Sequence, residues 1–128
     1  MDATESRLTD TEKANLALVK AYAEAFERRD LDKTLSLFSE DCVTISPYTE
    51  NRSPVRTEGL AALRAKWEKG GWFAGEAAGE FADARTIIVR DEVALLVRTS
   101  GGRVYVDVFT FRDGKIVMKD HYIKHKRP

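Results

Sequence analysis

Two carboxylates in the last third of the chain, Asp107 and Asp120, lie in segments that otherwise read as buried strand. The segments are VYVDVFTFR and KIVMKDHYI, rich in β-branched and aromatic residues, with Asp113-Gly114 between them. Asp-Gly between two strand-like runs is a strong short-range hairpin signal. A two-residue type I′ turn pairs Arg112 with Lys115. Counting outward predicts Phe111 opposite Ile116, Phe109 opposite Met118, Asp107 opposite Asp120 and Tyr105 opposite Tyr122. Period-two alternation puts those four pairs on one face. Opposed like charges destabilise a sheet, and aromatic neighbours that exclude water make both charges costlier. The two carboxyls are therefore expected to share a proton, one acting as acid or hydrogen-bond donor and the other as base. A solvent-exposed face would leave two ordinary surface aspartates, but it would also leave four aromatics in water.

Two details of this hairpin stay open. With a two-residue Gly101-Gly102 turn, Arg98 falls opposite Tyr105 and diagonal to Asp107. With a three-residue Ser100–Gly102 loop it turns to the other face. That other face carries Val104, Val106, Val108 and Thr110 against Val117, Lys119, His121 and Ile123, too apolar to be fully wet. A homodimer through it is expected, with His121 in an interface or structural role.

The elements that position these groups are legible in outline. Thr9-Asp10-Thr11-Glu12 has capping-box spacing. Beyond it Leu16, Val19, Ala23 and Phe26 recur at helical intervals, with Leu18, Tyr22 and Ala25 widening the stripe. Asp30 caps a short second helix carrying Leu31, Leu35 and Phe38. Cys42 to Ser46 reads as a brief strand stopped by Pro47, and 48–58 as a loop. Leu60, Leu63 and Trp67 mark a third helix ended by Gly70-Gly71. Four strands follow, at roughly 78–89, 92–99, 103–112 and 115–125, as an antiparallel meander. Helices first and strands later predict an α+β fold in one domain spanning 1–128, with residues 1–8 and 126–128 as flexible ends. Tyr48, Trp67, Trp72 and Phe73 are placed to rim a pocket whose floor is Tyr105, Phe109, Met118 and Tyr122.

The bulk numbers narrow the partners. The chain has 128 residues, and 21 Lys+Arg balance 21 Asp+Glu. No charge excess points to nucleic acid or an anionic membrane. No signal peptide or membrane-spanning run is read, so the cytoplasm is the expected location. One cysteine, Cys42, and two histidines, His121 and His125, give no metal-ligand spacing, and no glycine-rich phosphate loop is present. Neither metal nor organic cofactor is expected.

The stretch AYAEAFERRDLDKTLSLFSEDCVTISP resembles the opening of SnoaL-like members of the nuclear transport factor 2-like superfamily. YVDVFTFRDGKIVMKDHY resembles their closing hairpin. The resemblance implies a cone-shaped, curved antiparallel sheet of about five or six strands, with three helices around an internal pocket. Within that family the chain is most similar to ketosteroid isomerases. Tyr22 falls at their oxyanion-hole tyrosine and Asp107 at their protonated aspartic acid. Their base position, before the proline ending the first strand, is here Ser46. Polyketide cyclases of the group place an acid/base aspartate in the closing strands, as Asp120 is placed here.

Together these readings predict an isomerase, dehydratase or cyclase type of enzyme acting on a small apolar oxygenated molecule. Asp107, Asp120 and Tyr22 would carry the proton transfers. Ser46 favours the alternative of a ligand-binding domain without chemistry. A dimeric interaction or scaffold domain is the third reading.

Overall fold

The capping box at Thr9 opens the longest helix. Thr9 Oγ1 accepts from the Glu12 backbone N–H at 3.1 Å, and the Glu12 carboxylate accepts from the Thr9 N–H at 2.9 Å. Two donors with no partner inside the helix are thereby satisfied, and α1 runs from Asp10 to Glu27. Its buried face carries Leu16, Val19, Tyr22 and Ala25. Replacing Thr9 with alanine should cost about 1 kcal/mol, measured as a lower urea midpoint. An unchanged midpoint would show that water serves these groups equally well.

A computed structural model describes residues 7–46, 55–75, 81, 83–99 and 102–124. After α1 come α2 (Leu31–Ser36), β1 (Phe38–Ser46), β2 (Val55–Glu58) and α3 (Leu60–Lys69). A 3₁₀ turn at Trp72–Ala74 precedes β3 (Ala84–Val89), β4 (Glu92–Arg98), β5 (Val104–Arg112) and β6 (Lys115–Ile123). Asp30 caps α2 as expected, its side chain accepting from the Lys33 N–H at 3.0 Å.

The six strands form one sheet in the order β2-β1-β6-β5-β4-β3. The sheet is mixed, where a wholly antiparallel one was expected, because β1 pairs parallel with β6. Parallel neighbours need a long crossover, and here β2, α3 and the meander β3–β5 together supply it. Val55–Glu58, read from the sequence as loop, is a four-residue strand at the sheet edge, pairing antiparallel with β1 from Val43↔Glu58 to Ser46↔Val55. Short edge strands carry little hydrophobic pattern, so composition alone hid it.

The Asp-Gly turn forms as predicted, with positive φ at Asp113 (50°) and Gly114 (75°), and Arg112↔Lys115 and Phe111↔Ile116 are paired. One step further the register shifts. Thr110 faces Met118, Phe109 faces Lys119, Val108 faces Asp120, Asp107 faces His121, Val106 faces Tyr122 and Tyr105 faces Ile123. Val117 is the extra residue of a β-bulge. Because side chains alternate, this single insertion exchanges the faces of everything beyond it.

The core fills the space between the helices and the inner face of the sheet. Phe109, Val97, Val93 and Ile116 are almost completely buried there, with Leu63 of α3 and Val19 and Tyr22 of α1. Arg98 pairs with Val104 and is exposed on the outer face, the geometry of the longer of the two possible loops. Ile87 and Tyr122 are the most exposed large hydrophobic residues of that outer face, at 51% and 59%.

Candidate functional site

The bulge decides which residues meet inside the fold. Val117 stands unpaired opposite β5, so Lys119, His121 and Ile123 turn inward beside Phe109, Asp107 and Tyr105. Asp120 turns outward with Val108. The predicted facing of Asp107 and Asp120 is therefore corrected, as is the placing of His121 on the opposite side from Asp107.

Asp107 is 2% exposed, and a buried carboxylate persists only where it is paired or hydrogen-bonded. His121 Nδ1 lies 2.6 Å from Asp107 Oδ1, the distance of a charge-assisted hydrogen bond. With Asp107 ionised the carboxylate only accepts, and Nδ1–H is then the donor. Lys119 Nζ stands 3.8 Å from the same oxygen. The His121 ring packs on Tyr105 with centroids 4.8 Å apart. Position on the strand, the carboxylate and the tyrosine together fix the imidazole plane.

This cluster forms one wall of a cavity of about 140 Å³. Thr44, Ile45 and Ser46 from the end of β1 line it, with Tyr22 and Phe26 from α1, Lys66 from α3, Trp72, and Arg103 just before β5. Tyr22 is 1% exposed and wedged among aromatics, with the Phe109 ring at 5.0 Å and the Phe38 ring at 6.1 Å. Arg29 stacks on the Trp72 ring at 4.8 Å, which steadies that wall from outside. Burial, then the positive charge of Lys119, pushes the pKa of the Lys66 ammonium down. Thr44 is 3% exposed, and its Oγ1 finds no hydrogen-bond partner among the described residues.

Of the residues singled out in the sequence, Tyr22, Asp107, Tyr105 and Trp72 come together at the cavity. Phe109 lies beneath it in the core. Trp67 and Phe73 pack on each other and on Phe26, behind the wall instead of in it. Met118, Asp120 and Tyr122 are on the far side of the sheet, carried there by the bulge. Tyr48 lies outside the described residues. His121, Lys119, Lys66, Thr44, Ile45, Phe26 and Arg103 are the lining residues that the sequence reading did not place there. Lys66 alone had a usable signal, standing three residues after Leu63 on the packed side of α3. Among the described residues no three His, Cys, Asp or Glu side chains converge as a metal site would require. No described helix is long and apolar enough to cross a membrane.

The family model of the SnoaL-like domain matches residues 19–118, from the middle of α1 into β6. The chain belongs to the SnoaL-like family. No protein with a curated description matches it significantly. Among solved structures, a nuclear transport factor 2-like protein of unknown function from Mesorhizobium loti superposes with a TM-score of 0.73 at 20% identity, covering 93% of this chain and 98% of that one. A candidate isomerase from Bacillus subtilis gives 0.72 at 20% identity, over 91% and 90% of the two chains. A candidate polyketide cyclase from Xanthomonas campestris pv. campestris gives 0.68 at 20% identity, over 90% and 93%. At such identity these likenesses establish the SnoaL-like fold and leave the reaction to be argued from the site.

Proposed function

We propose that this SnoaL-like protein catalyses proton transfer on a small carbonyl compound, with His121 as the acid/base group and Asp107 as its positioning residue. The observation that carries the reading is the 2.6 Å contact between His121 Nδ1 and the buried Asp107 carboxylate at the wall of the cavity. Imidazole is the side chain best suited to take and return protons near neutral pH. Nδ1 faces Asp107, and exchange with a bound molecule is assigned to the other ring nitrogen, Nε2.

In the reaction, Nε2 takes a proton from a carbon next to the carbonyl. The C–H electron pair moves into the new double bond and the carbonyl pair onto oxygen, giving an enolate. Lys119 and Tyr22 line the same cavity, and a positive charge or hydroxyl donor placed there stabilises the oxyanion. The imidazolium then returns its proton. Delivery to another carbon is isomerisation, and delivery to a departing hydroxyl is dehydration. If the enolate first attacks a second carbonyl, the proton goes to the alkoxide so formed and the result is cyclisation. The isomerase and cyclase descriptions of two structural neighbours fall within this chemistry.

Ser46 favours a second reading, binding without turnover. It lines the cavity at the end of β1, where the resemblance to ketosteroid isomerases puts a carboxylate base. Phenylpyruvate in D₂O separates the two readings, with NMR following loss of its CH₂ signal. Acceleration of exchange by the protein supports proton transfer. Occupation of the cavity with exchange at the solvent rate supports the binder.

A further inference from the structure

We infer that the ligand of this cavity is a small organic anion, a carboxylate on a body about one ring in size, with its charged end held by Lys66, Lys119 and Thr44. The inference rests on the cavity being the ligand site, as proposed above, and adds the substrate class. It gives a charged end to the apolar, oxygenated molecule expected from the sequence.

Charge is the first support. Lys66 and Lys119 bring positive charge to the lining, and among the described lining residues only Asp107 carries negative charge. That carboxylate is already committed to His121 at 2.6 Å. It also forms an ion pair with Lys119 Nζ at 3.8 Å, which leaves Lys66 as the lining ammonium with no ion pair among the described residues. Lys66 comes from α3 and Lys119 from β6, so two unrelated elements bring ammonium groups to one hollow. Burial, and then the nearby Lys119 charge, lower the Lys66 pKa. Two like charges in a partly desolvated place are costly, and an anion between them removes the cost.

Thr44 is a separate support. It is the cross-strand neighbour of Lys119 on β1. Its buried hydroxyl lacks a partner among the described residues, and leaving a buried hydroxyl unsatisfied is unfavourable unless a ligand or water completes it. A carboxylate has two oxygens and can accept from an ammonium and this hydroxyl together. Size is the third. A cavity of about 140 Å³ is close to the roughly 150 Å³ void known to hold benzene, and Trp72, Tyr105 and Phe26 give it aromatic walls.

The test compares benzoate with benzamide, which share a shape and differ in charge, by calorimetric titration of the whole protein at low salt. Benzoate should bind at least 10-fold more tightly. Lys66→Gln keeps most of the side chain and should weaken benzoate about 10- to 100-fold, the range for losing a hydrogen bond to a charged group, with benzamide unchanged. Equal affinities in the wild-type protein overturn the anion assignment and leave the cavity as a ligand site. Binding of neither compound overturns both. Anion preference without proton exchange in phenylpyruvate removes only the proton-transfer reading, so the two proposals fail separately.

Discussion

Replacing His121 with glutamine should lower the rate of phenylpyruvate exchange by about 10²- to 10⁴-fold. Glutamine fills much of the same space and can still hydrogen-bond to the Asp107 carboxylate, so the wall of the cavity is kept. It cannot accept and release a proton near neutral pH, and that loss is isolated by the substitution. The companion variant Asp107→Asn removes the carboxylate that orients the imidazole 2.6 Å away. It should lower kcat more than it raises KM, since a misoriented ring still leaves the cavity walls to bind the substrate. A residue that only held the fold together would change the unfolding midpoint without that split. Full exchange activity in His121→Gln would end the acid/base assignment.

Phe109→Ala should destabilise the fold by about 3–5 kcal/mol, the usual cost of emptying a fully packed aromatic site. Phe109 is 0% exposed and central in β5, with Val93 and Lys119 as its neighbours on either side. Its ring also supports Tyr22 from 5.0 Å. A domain of this size holds only about 5–15 kcal/mol in total, so this variant should lie close to the edge of folding at room temperature. Urea unfolding gives the number directly. A loss under about 1 kcal/mol would mean that Tyr22 and its neighbours collapse into the void, and the ligand cavity would then be expected to change shape as well.

The ends of elements were legible because they are governed by local chemistry. Thr9 with Glu12, Asp30, and Asp113 with Gly114 each satisfy or permit a backbone arrangement that few residue types can, and all three behave as their spacing implies. Long-range matters were not encoded so locally. That β1 would lie parallel beside β6 depends on sheet assembly, and no residue of either strand declares it. The bulge was hidden for a related reason. Ile116, Val117 and Met118 are all apolar, so alternation is ambiguous at the very place where one residue is left over. From there the error ran through every later position of β6. It put Asp120 where His121 stands and removed Lys119 from view. Tyr22 and Asp107 survived because they precede the fault.

The position of β6 has a consequence for how the chain is made. Of these six strands it is the last to leave the ribosome, yet it lies inside the sheet between β1 and β5. Until it emerges, the β2–β1 ribbon and the β3–β4–β5 meander share no backbone hydrogen bond among the described residues, and both present open edges that attract foreign strands. His121 and Lys119 arrive on that same closing strand. Nascent chains short of residue 115 are thus prone to clump, and completing the sheet and delivering the imidazole are a single late event.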